Sequence, residues 1–128
     1  MITQDASSRS QSDDIDTELI AFVKQIANSF VKWDLIRFFN ENPHAVEHAE
    51  VLARYSSREV RDIEPQLEAL VENGILRSRV VAGVKAYALT PDMAARALVG
   101  RFVQACDDKQ FRLVAIQHVM QIAGARAH

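Results

Sequence analysis

The sequence predicts a mainly α-helical fold that carries one small β-hairpin. Apolar residues recur three and four positions apart over most of the chain, which is the period of an amphipathic helix. Two short runs rich in β-branched residues, 75–80 and 84–89, are separated by Val81-Ala82-Gly83, which predicts a hairpin. With 128 residues, 48% of them hydrophobic, the chain has the size and composition of one folded domain. We expect that domain at residues 15–123, with loose tails at residues 1–14 and 124–128.

Charge and cysteine content limit the function classes. The formal net charge of −2 gives no global positive field, so binding to nucleic acid requires a local basic patch. The single cysteine, Cys106, cannot form an internal disulfide, which favours a reducing, cytoplasmic location. No apolar run approaches the roughly 18 residues that span a bilayer, and no signal core follows the N-terminus. We therefore expect neither secretion nor membrane insertion.

The first two helices are predicted from their apolar spacing and their end signals. One is expected near residues 15–28, where aspartates cluster at the N-terminal end and complement the helix dipole. Asn28 or Ser29 could cap the second, and Asn42-Pro43 would end it, because helical backbone is disfavoured before proline. Its wide apolar face around Trp33 predicts a core on that side.

A short apolar helix around residues 49–53 is followed by a polar turn and a longer helix, which Gly74 ends in the left-handed conformation. The start of the longer helix has two alternatives. Asp62 as the N-cap places Pro65 in the first turn, where proline is tolerated. A start at Ser56 places Pro65 in the helix interior, at a cost of about 3 kcal/mol. We favour the later start, with residues 57–61 as a tight turn.

Two more helices follow the hairpin. Thr90-Pro91 predicts a helix start, with threonine as the N-cap and proline at the first helical position, and the helix is expected to run to about Ala105. After a break at Asp107-Asp108, a final helix that is apolar on more than one face is expected to end at Gly124.

Specific residues mark the central segment. Leu52 and Ile63 lie eleven residues apart, as do Ile63 and Gly74, and these spacings fix how the central helices pack. Leu67 and the segments Leu70–Leu76 and Tyr87–Thr90 complete the pattern. Over roughly residues 30–90 this order resembles the winged helix-turn-helix superfamily of bacterial transcriptional regulators. The resemblance implies a winged helix with extra N-terminal and C-terminal helices, DNA binding, and no enzymatic activity.

In this superfamily the second helix of the motif enters the major groove of double-stranded DNA and the hairpin wing contacts the backbone. Arg58 and Arg61 flank the turn before that helix, and Gln66 could recognise adenine. Arg77 and Arg79 share one face of the first wing strand. Lys85, across the hairpin, could add a third positive charge to this face. The predicted DNA-binding residues are therefore Arg58, Arg61, Gln66, Arg77, Arg79 and Lys85.

The charge count keeps an alternative open. Residues 44–90 hold six basic and seven acidic residues, and carboxylates repel the DNA backbone. The rival interpretation is a winged-helix module that binds another protein through an acidic face made of Asp62, Glu64 and Glu68.

The helices outside the motif suggest a homodimer, because they add apolar surface that the motif does not need. The predicted dimerisation residues are Phe22, Ile26, Phe111, Ile116 and Met120.

No catalytic, metal or cofactor site is predicted. His44-Ala45-Val46-Glu47-His48 matches a zinc-peptidase pattern, but that chemistry needs a helix through both histidines, and the preceding Pro43 disfavours one. Cys106 follows an apolar stripe and is expected to be a small buried side chain rather than a nucleophile.

Overall fold

A computed structural model describes residues 17–127, with side chains for residues 17–124. The predicted N-terminal tail and the expected start of the first helix lie outside this range. Six helices and three strands follow one another in the described part of the chain. They are α1 (helical at residues 17–25), α2 (Phe30–Glu41), β1 (Val46–His48), α3 (Ala49–Ser56), α4 (Val60–Glu72), β2 (Leu76–Val81), β3 (Val84–Leu89), α5 (Met93–Ala105) and α6 (Lys109–Ala127). The predicted fold class is confirmed.

The sheet is antiparallel, with strand order β1-β3-β2. The β2-β3 hairpin runs in register from Leu76 opposite Leu89 to Val81 opposite Val84. Its two turn residues, Ala82 and Gly83, both have positive φ (53° and 81°), as a two-residue turn that follows the strand twist requires. The hairpin is therefore confirmed, whereas β1, which pairs with β3, is an addition that the sequence pattern did not predict.

Helix α4 lies at the centre of the core. Ile63, Leu67 and Leu70 are fully buried at spacings of four and three residues, so they form one face of the helix. This face packs against α2 and α3 and beside β2. Burying each of these side chains stabilises the fold by about 1.5–3 kcal/mol. Turning α4 about its axis would expose them to water, so their burial fixes which side of the helix faces the core.

An aromatic cluster ties the flanking helices to α2. The ring of Phe102 on α5 contacts those of Phe22 on α1, Trp33 on α2 and Phe111 on α6, at centroid distances of 5.2, 5.6 and 6.4 Å. The Trp33 indole N–H donates to the carbonyl of Ala27 at 2.6 Å, which satisfies its only polar atom. The helices outside the central motif therefore share its core.

Of three helix ends predicted in the N-terminal half of the described range, the structure moves one and confirms two. Helix α1 ends at residue 25, three residues before the expected end, and residues 26–29 form the turn into α2. Ser29 caps α2 as predicted, since its hydroxyl accepts from the backbone N–H of Lys32 at 3.1 Å. The predicted end of α2 before Asn42-Pro43 is also confirmed.

The favoured start of α4 is wrong. The helix begins at Val60, its N-cap is Glu59, and the backbone N–H groups of Asp62 and Ile63 donate to the Glu59 carbonyl at 3.0 and 3.2 Å. Pro65 therefore lies inside the helix. It is exposed, so the carbonyl that its ring deprives of an intrahelical partner can bond water instead.

The alternative start at Ser56 is wrong as well. Ser56 is the last residue of α3, and its hydroxyl donates to the Leu52 carbonyl at 2.9 Å. The next residue, Ser57, takes the left-handed conformation (φ 57°) and ends α3. The whole turn between α3 and α4 is therefore three residues long, shorter than the expected turn at 57–61.

Helices α5 and α6 also correct the predicted ends. The N-cap of α5 is Asp92, whose carboxylate accepts from the N–H of Ala95 at 2.9 Å, so Thr90 is not the cap and Pro91 precedes the helix. Thr90 instead extends the end of the hairpin, where its N–H donates to the Ile75 carbonyl at 2.9 Å. The end of α5 at Ala105 is confirmed.

Helix α6 continues through Gly124 to Ala127, so the predicted helix end at Gly124 is wrong. Glycine permits a left-handed helix end but does not impose one. None of the helices in the described range is long and apolar enough to cross a membrane.

Gly74 ends α4 as predicted. It has φ +78°, the N–H of Gly74 donates to the Val71 carbonyl, and the N–H of Ile75 donates to the Leu70 carbonyl, both at 3.0 Å. These two bonds form a Schellman motif, which turns the chain directly into β2.

The salt bridge that joins α4 to the wing holds these two elements together. The Glu68 carboxylate accepts from the Lys85 ammonium at 2.8 Å and from the Tyr87 hydroxyl, both on β3. These two hydrogen bonds lower the pKa of Glu68. Desolvation, followed by the bond to Glu68, raises the pKa of Tyr87 far above its usual range. One carboxylate on the helix thus contacts two alternate residues of β3, which lie on the same face of the wing.

We predict that Gly74→Ala lowers the free energy of unfolding by about 1–2 kcal/mol, because an alanine at positive φ is strained although the space around it is open. The matched control is Gly124→Ala, also in open space but inside a helix, which should raise stability by about 0.5 kcal/mol. Urea unfolding measures both. Equal effects of the two substitutions would show that Gly74 does not hold this conformation.

We predict that Glu68→Gln destabilises the protein at pH 7 but hardly at pH 3. A carboxyl with a lowered folded-state pKa stabilises the fold above about pH 4.5, and this contribution disappears as the pH falls through the folded-state pKa. Because the pair is partly exposed, the effect at pH 7 should be under about 1 kcal/mol. Urea unfolding at both pH values measures it, with exposed Glu72→Gln as the control. A pH-independent difference would contradict the role given to the Glu68 charge.

Candidate nucleic-acid interface

The exposed face of α4 is acidic. Because Ile63, Leu67 and Leu70 face the core, the residues turned outward are Arg61, Asp62, Glu64, Pro65, Glu68 and Glu72. The guanidinium of Arg61 forms an ion pair with Glu59 at 2.7 Å, and both side chains are mostly exposed. The helix that a winged-helix protein turns toward DNA therefore presents one paired cation among four carboxylates.

Arg58 is partly buried and bound to an acidic residue of the same chain. Its guanidinium forms an ion pair with Asp34 on α2, and both side chains are only about one-third exposed (29% and 35%). This bond fixes the turn between α3 and α4 to α2. Asp34 gave no local signal in the sequence, because it lies 24 residues before its partner.

Gln66 also faces α2. Its side-chain carbonyl accepts from the Ser29 hydroxyl at 2.9 Å, and the residue is half-buried. Recognition of adenine uses both the acceptor and the donor of a glutamine amide. Since the acceptor is committed within the chain, Gln66 supports the packing of α4 on α2 and is poorly placed to contact a base.

The wing presents the two remaining arginines. Arg77 and Arg79 lie opposite Ala88 and Ala86 on β3, so they share the outer face of the sheet, away from buried Tyr87. Both are exposed, and no carboxylate in the described part of the chain lies within ion-pair distance of either. The shared face predicted for them is confirmed.

Lys85 does not join this pair. It lies opposite Val80, which places it on the other face of the hairpin, where its ammonium contacts Glu68. Of the six residues predicted to bind DNA, the structure therefore brings only Arg77 and Arg79 together. The other four each contact an acidic or polar partner within the chain.

The histidine pattern at 44–48 does not form a helix. Its last three residues are strand β1, and the His48 ring nitrogen Nδ1 lies 3.2 Å from the carbonyl of Lys85. His44 and His48 are thus not one helical turn apart. Among residues 17–124 no group of three or more histidine, cysteine or acidic side chains is arranged to hold a metal ion.

Cys106 is buried at the end of α5, with 5% of its surface exposed. Burial raises the pKa of its thiol, which disfavours the thiolate that nucleophilic chemistry requires. The prediction of a small buried side chain is confirmed.

The predicted dimerisation residues fall into three groups. Phe22 and Phe111 are buried in the chain's own core, so they offer no surface in this arrangement. Ile26 and Ile116 are half-buried against that core. Met120 is 61% exposed.

Two further apolar residues on α6, Leu113 and Val114, are 53% and 41% exposed, although they were not among the predicted dimerisation residues. They agree with the prediction that α6 is apolar on more than one face. A cleft of about 570 Å³ lies between α6 and the start of α2, lined by residues that include Phe30, Met120 and Ile122.

Comparison with known proteins supports the fold. No protein-family model matches the chain, and no curated protein matches its sequence. Among solved structures, a possible transcriptional regulator from Methanosarcina mazei Go1 is similar at a TM-score of 0.53 and 16% identity, over 77% of this chain and 85% of that one. MepR, a transcription regulator of the Staphylococcus aureus multidrug efflux pump MepA, is similar at a TM-score of 0.58 and 15% identity, over 93% of this chain and 90% of its own.

The structural similarity to MepR extends beyond the central motif, because it covers nearly the whole chain. The element order, the hairpin packed beside α4 and these two similar structures agree. The chain has a winged helix-turn-helix fold with additional N-terminal and C-terminal helices.

Proposed function

We propose that the protein is a DNA-binding transcriptional regulator whose wing makes the main contact with the duplex. The observation that carries this proposal is the exposed pair of Arg77 and Arg79 on the outer face of the wing, without acidic partners in the described range. Its fold is that of two proteins described as transcriptional regulators, one of them only as a possible regulator. The proposal assigns the protein no catalytic step.

The number of phosphate contacts determines how steeply DNA binding weakens as the salt concentration rises. Two or three phosphate contacts give a modest salt dependence, with log K falling by about 0.9 per contact for each tenfold rise in salt. Arg61 supplies the third contact, since an exposed ion pair with Glu59 is worth under about 1 kcal/mol and exchanges readily for a phosphate. The carboxylates on α4 oppose deep insertion of this helix, so the wing carries most of the affinity.

We predict that Arg77→Ala and Arg79→Ala each weaken binding to duplexes of any sequence and reduce the salt slope by about one unit. Fluorescence anisotropy of a labelled generic duplex at about 50 and 200 mM salt measures both quantities. Arg61→Ala, which removes the third phosphate contact, should also weaken binding to duplexes of any sequence. The control is Arg101→Ala on α5, which removes an exposed arginine away from the wing. Unchanged binding in all three test variants would refute the proposed contact surface.

A second candidate function is a protein-interaction module without DNA binding. The specific observation in its favour is the exposed acidic face of α4, where Asp62 and Glu64 have no ion-pair partner among the described residues. The two functions differ in one measurement, because the module would show no duplex affinity even at 50 mM salt. Reversing the charges at Asp62 and Glu64 would then abolish binding to its partner.

We also propose that the regulator is a homodimer assembled through α6. Leu113 and Met120 are exposed and seven residues apart, which places them on one side of the helix beside half-buried Ile116. A second copy of the same helix would cover this stripe. The symmetry of such a dimer would repeat the wing contact at a second DNA half-site.

We predict that Leu113→Glu combined with Met120→Glu converts the dimer to a monomer, because a charge in an apolar interface is left without a partner. Light scattering after size-exclusion chromatography measures the mass. The control is Asn73→Asp, which adds a charge on the central motif. A monomeric wild type, or a dimer that survives the double substitution, would contradict the proposed interface.

A further inference from the structure

A small cleft lies where α4, the start of α3 and the wing meet. It has a volume of about 110 Å³, room for a chain of only a few non-hydrogen atoms. Its walls are formed by His48, Ala49, Glu50, Val60, Glu64, Val84, Lys85 and Tyr87. The cleft opens beside the exposed face of α4, so it borders the surface that the proposed function assigns to DNA.

Part of the wall is apolar and open to solvent. Val84 is 51% exposed at the tip of the wing, and Val60 is half-buried at the start of α4. The cleft is also lined by the buried Tyr87, whose hydroxyl is already bonded to Glu68. These apolar groups can pack against the aliphatic part of a partner side chain.

The rim carries uncompensated negative charge. Glu50 and Glu64 are exposed, and neither forms an ion pair with a residue in the described range. The cleft's one lysine, Lys85, is neutralised by Glu68. Burial and the bond to Glu68 are the main causes of the raised pKa of Tyr87, and the charge of Glu64 adds to them.

The apolar wall and the acidic rim together determine which kind of group the cleft can bind. A phosphate group is repelled by the two carboxylates, so the cleft does not hold the DNA backbone. A lysine or arginine side chain fits, because its aliphatic stem packs on apolar surface while its charged end reaches the carboxylates. An apolar neighbour of that residue in the partner chain would cover Val84.

We propose that the cleft between α4 and the wing binds a lysine or arginine side chain of an extended, basic and apolar segment of a partner protein. The segment would lie beside Arg61 at the start of α4 and against the tip of the wing, and so compete with duplex DNA. That competition rests on the proposed function, whereas the binding of the segment does not.

The test uses a fluorescein-labelled peptide that repeats Leu-Lys-Leu between glycine-serine spacers, titrated with the full chain and followed by anisotropy. We expect weak saturable binding that is lost when glutamate replaces lysine in the peptide. Glu50→Gln combined with Glu64→Gln should weaken binding about tenfold. Glu72→Gln, a similar change on α4 outside the cleft, should leave it within about twofold.

Equal binding of the lysine and glutamate peptides, or undiminished binding by the double variant, would overturn the inference. Circular dichroism checks that the double variant is folded. The single substitution Glu64→Gln, which alters the chain less, repeats the test and should weaken peptide binding about threefold. Duplex titration separates the two proposals. A chain that binds the peptide but no duplex upholds the cleft and refutes the DNA proposal, while the reverse result refutes only the cleft.

Discussion

The burial of Ile63, Leu67 and Leu70 is the constraint on which the rest of the structure depends. These three side chains fix the rotation of α4 about its axis, since turning the helix would expose them to water. The same rotation decides which residues face outward, and they are mainly carboxylates. The acidity of the candidate recognition surface is thus a direct consequence of how the core is packed.

Two of the six basic residues in 44–90 join elements of the motif to one another. Arg58 joins the α3-α4 turn to α2 through Asp34, and Lys85 joins the wing to α4 through Glu68. Gln66 adds a neutral contact between α4 and the cap of α2. These contacts position the motif as one unit, and they leave the two neighbouring arginines on the outer face of the wing available to a ligand. The proposed DNA contact therefore lies mainly on β2 rather than on α4.

The sequence predicts the elements that local signals define, and it fails where distant contacts decide. The hairpin is predicted because β-branched runs flank a glycine, and Gly74 is predicted because left-handed backbone favours glycine. The start of α4 is missed because Ser57 adopts that same conformation without being glycine, and because the next residue, Arg58, forms an ion pair with the distant Asp34 on α2. Strand β1 is missed because three residues carry too little pattern, and only pairing with β3 defines it.

The candidate site shows the same division. The shared face of Arg77 and Arg79 follows from the two-residue period of a strand, and the register confirms it. The separation of Lys85 from that face depends on which residues pair across the turn. The partners of Arg58 and Gln66 lie 24 and 37 residues away, where no local spacing rule reaches them.

The most direct test of the central claim is to map the DNA contact by nuclear magnetic resonance, titrating isotope-labelled protein with a short duplex at about 50 mM salt. The account predicts that the backbone amide signals of Arg77 and Arg79, and of the turn at Ala82 and Gly83, shift most, with smaller changes at the start of α4. Shifts centred on α5 or α6, or no shifts at this low salt, would contradict it.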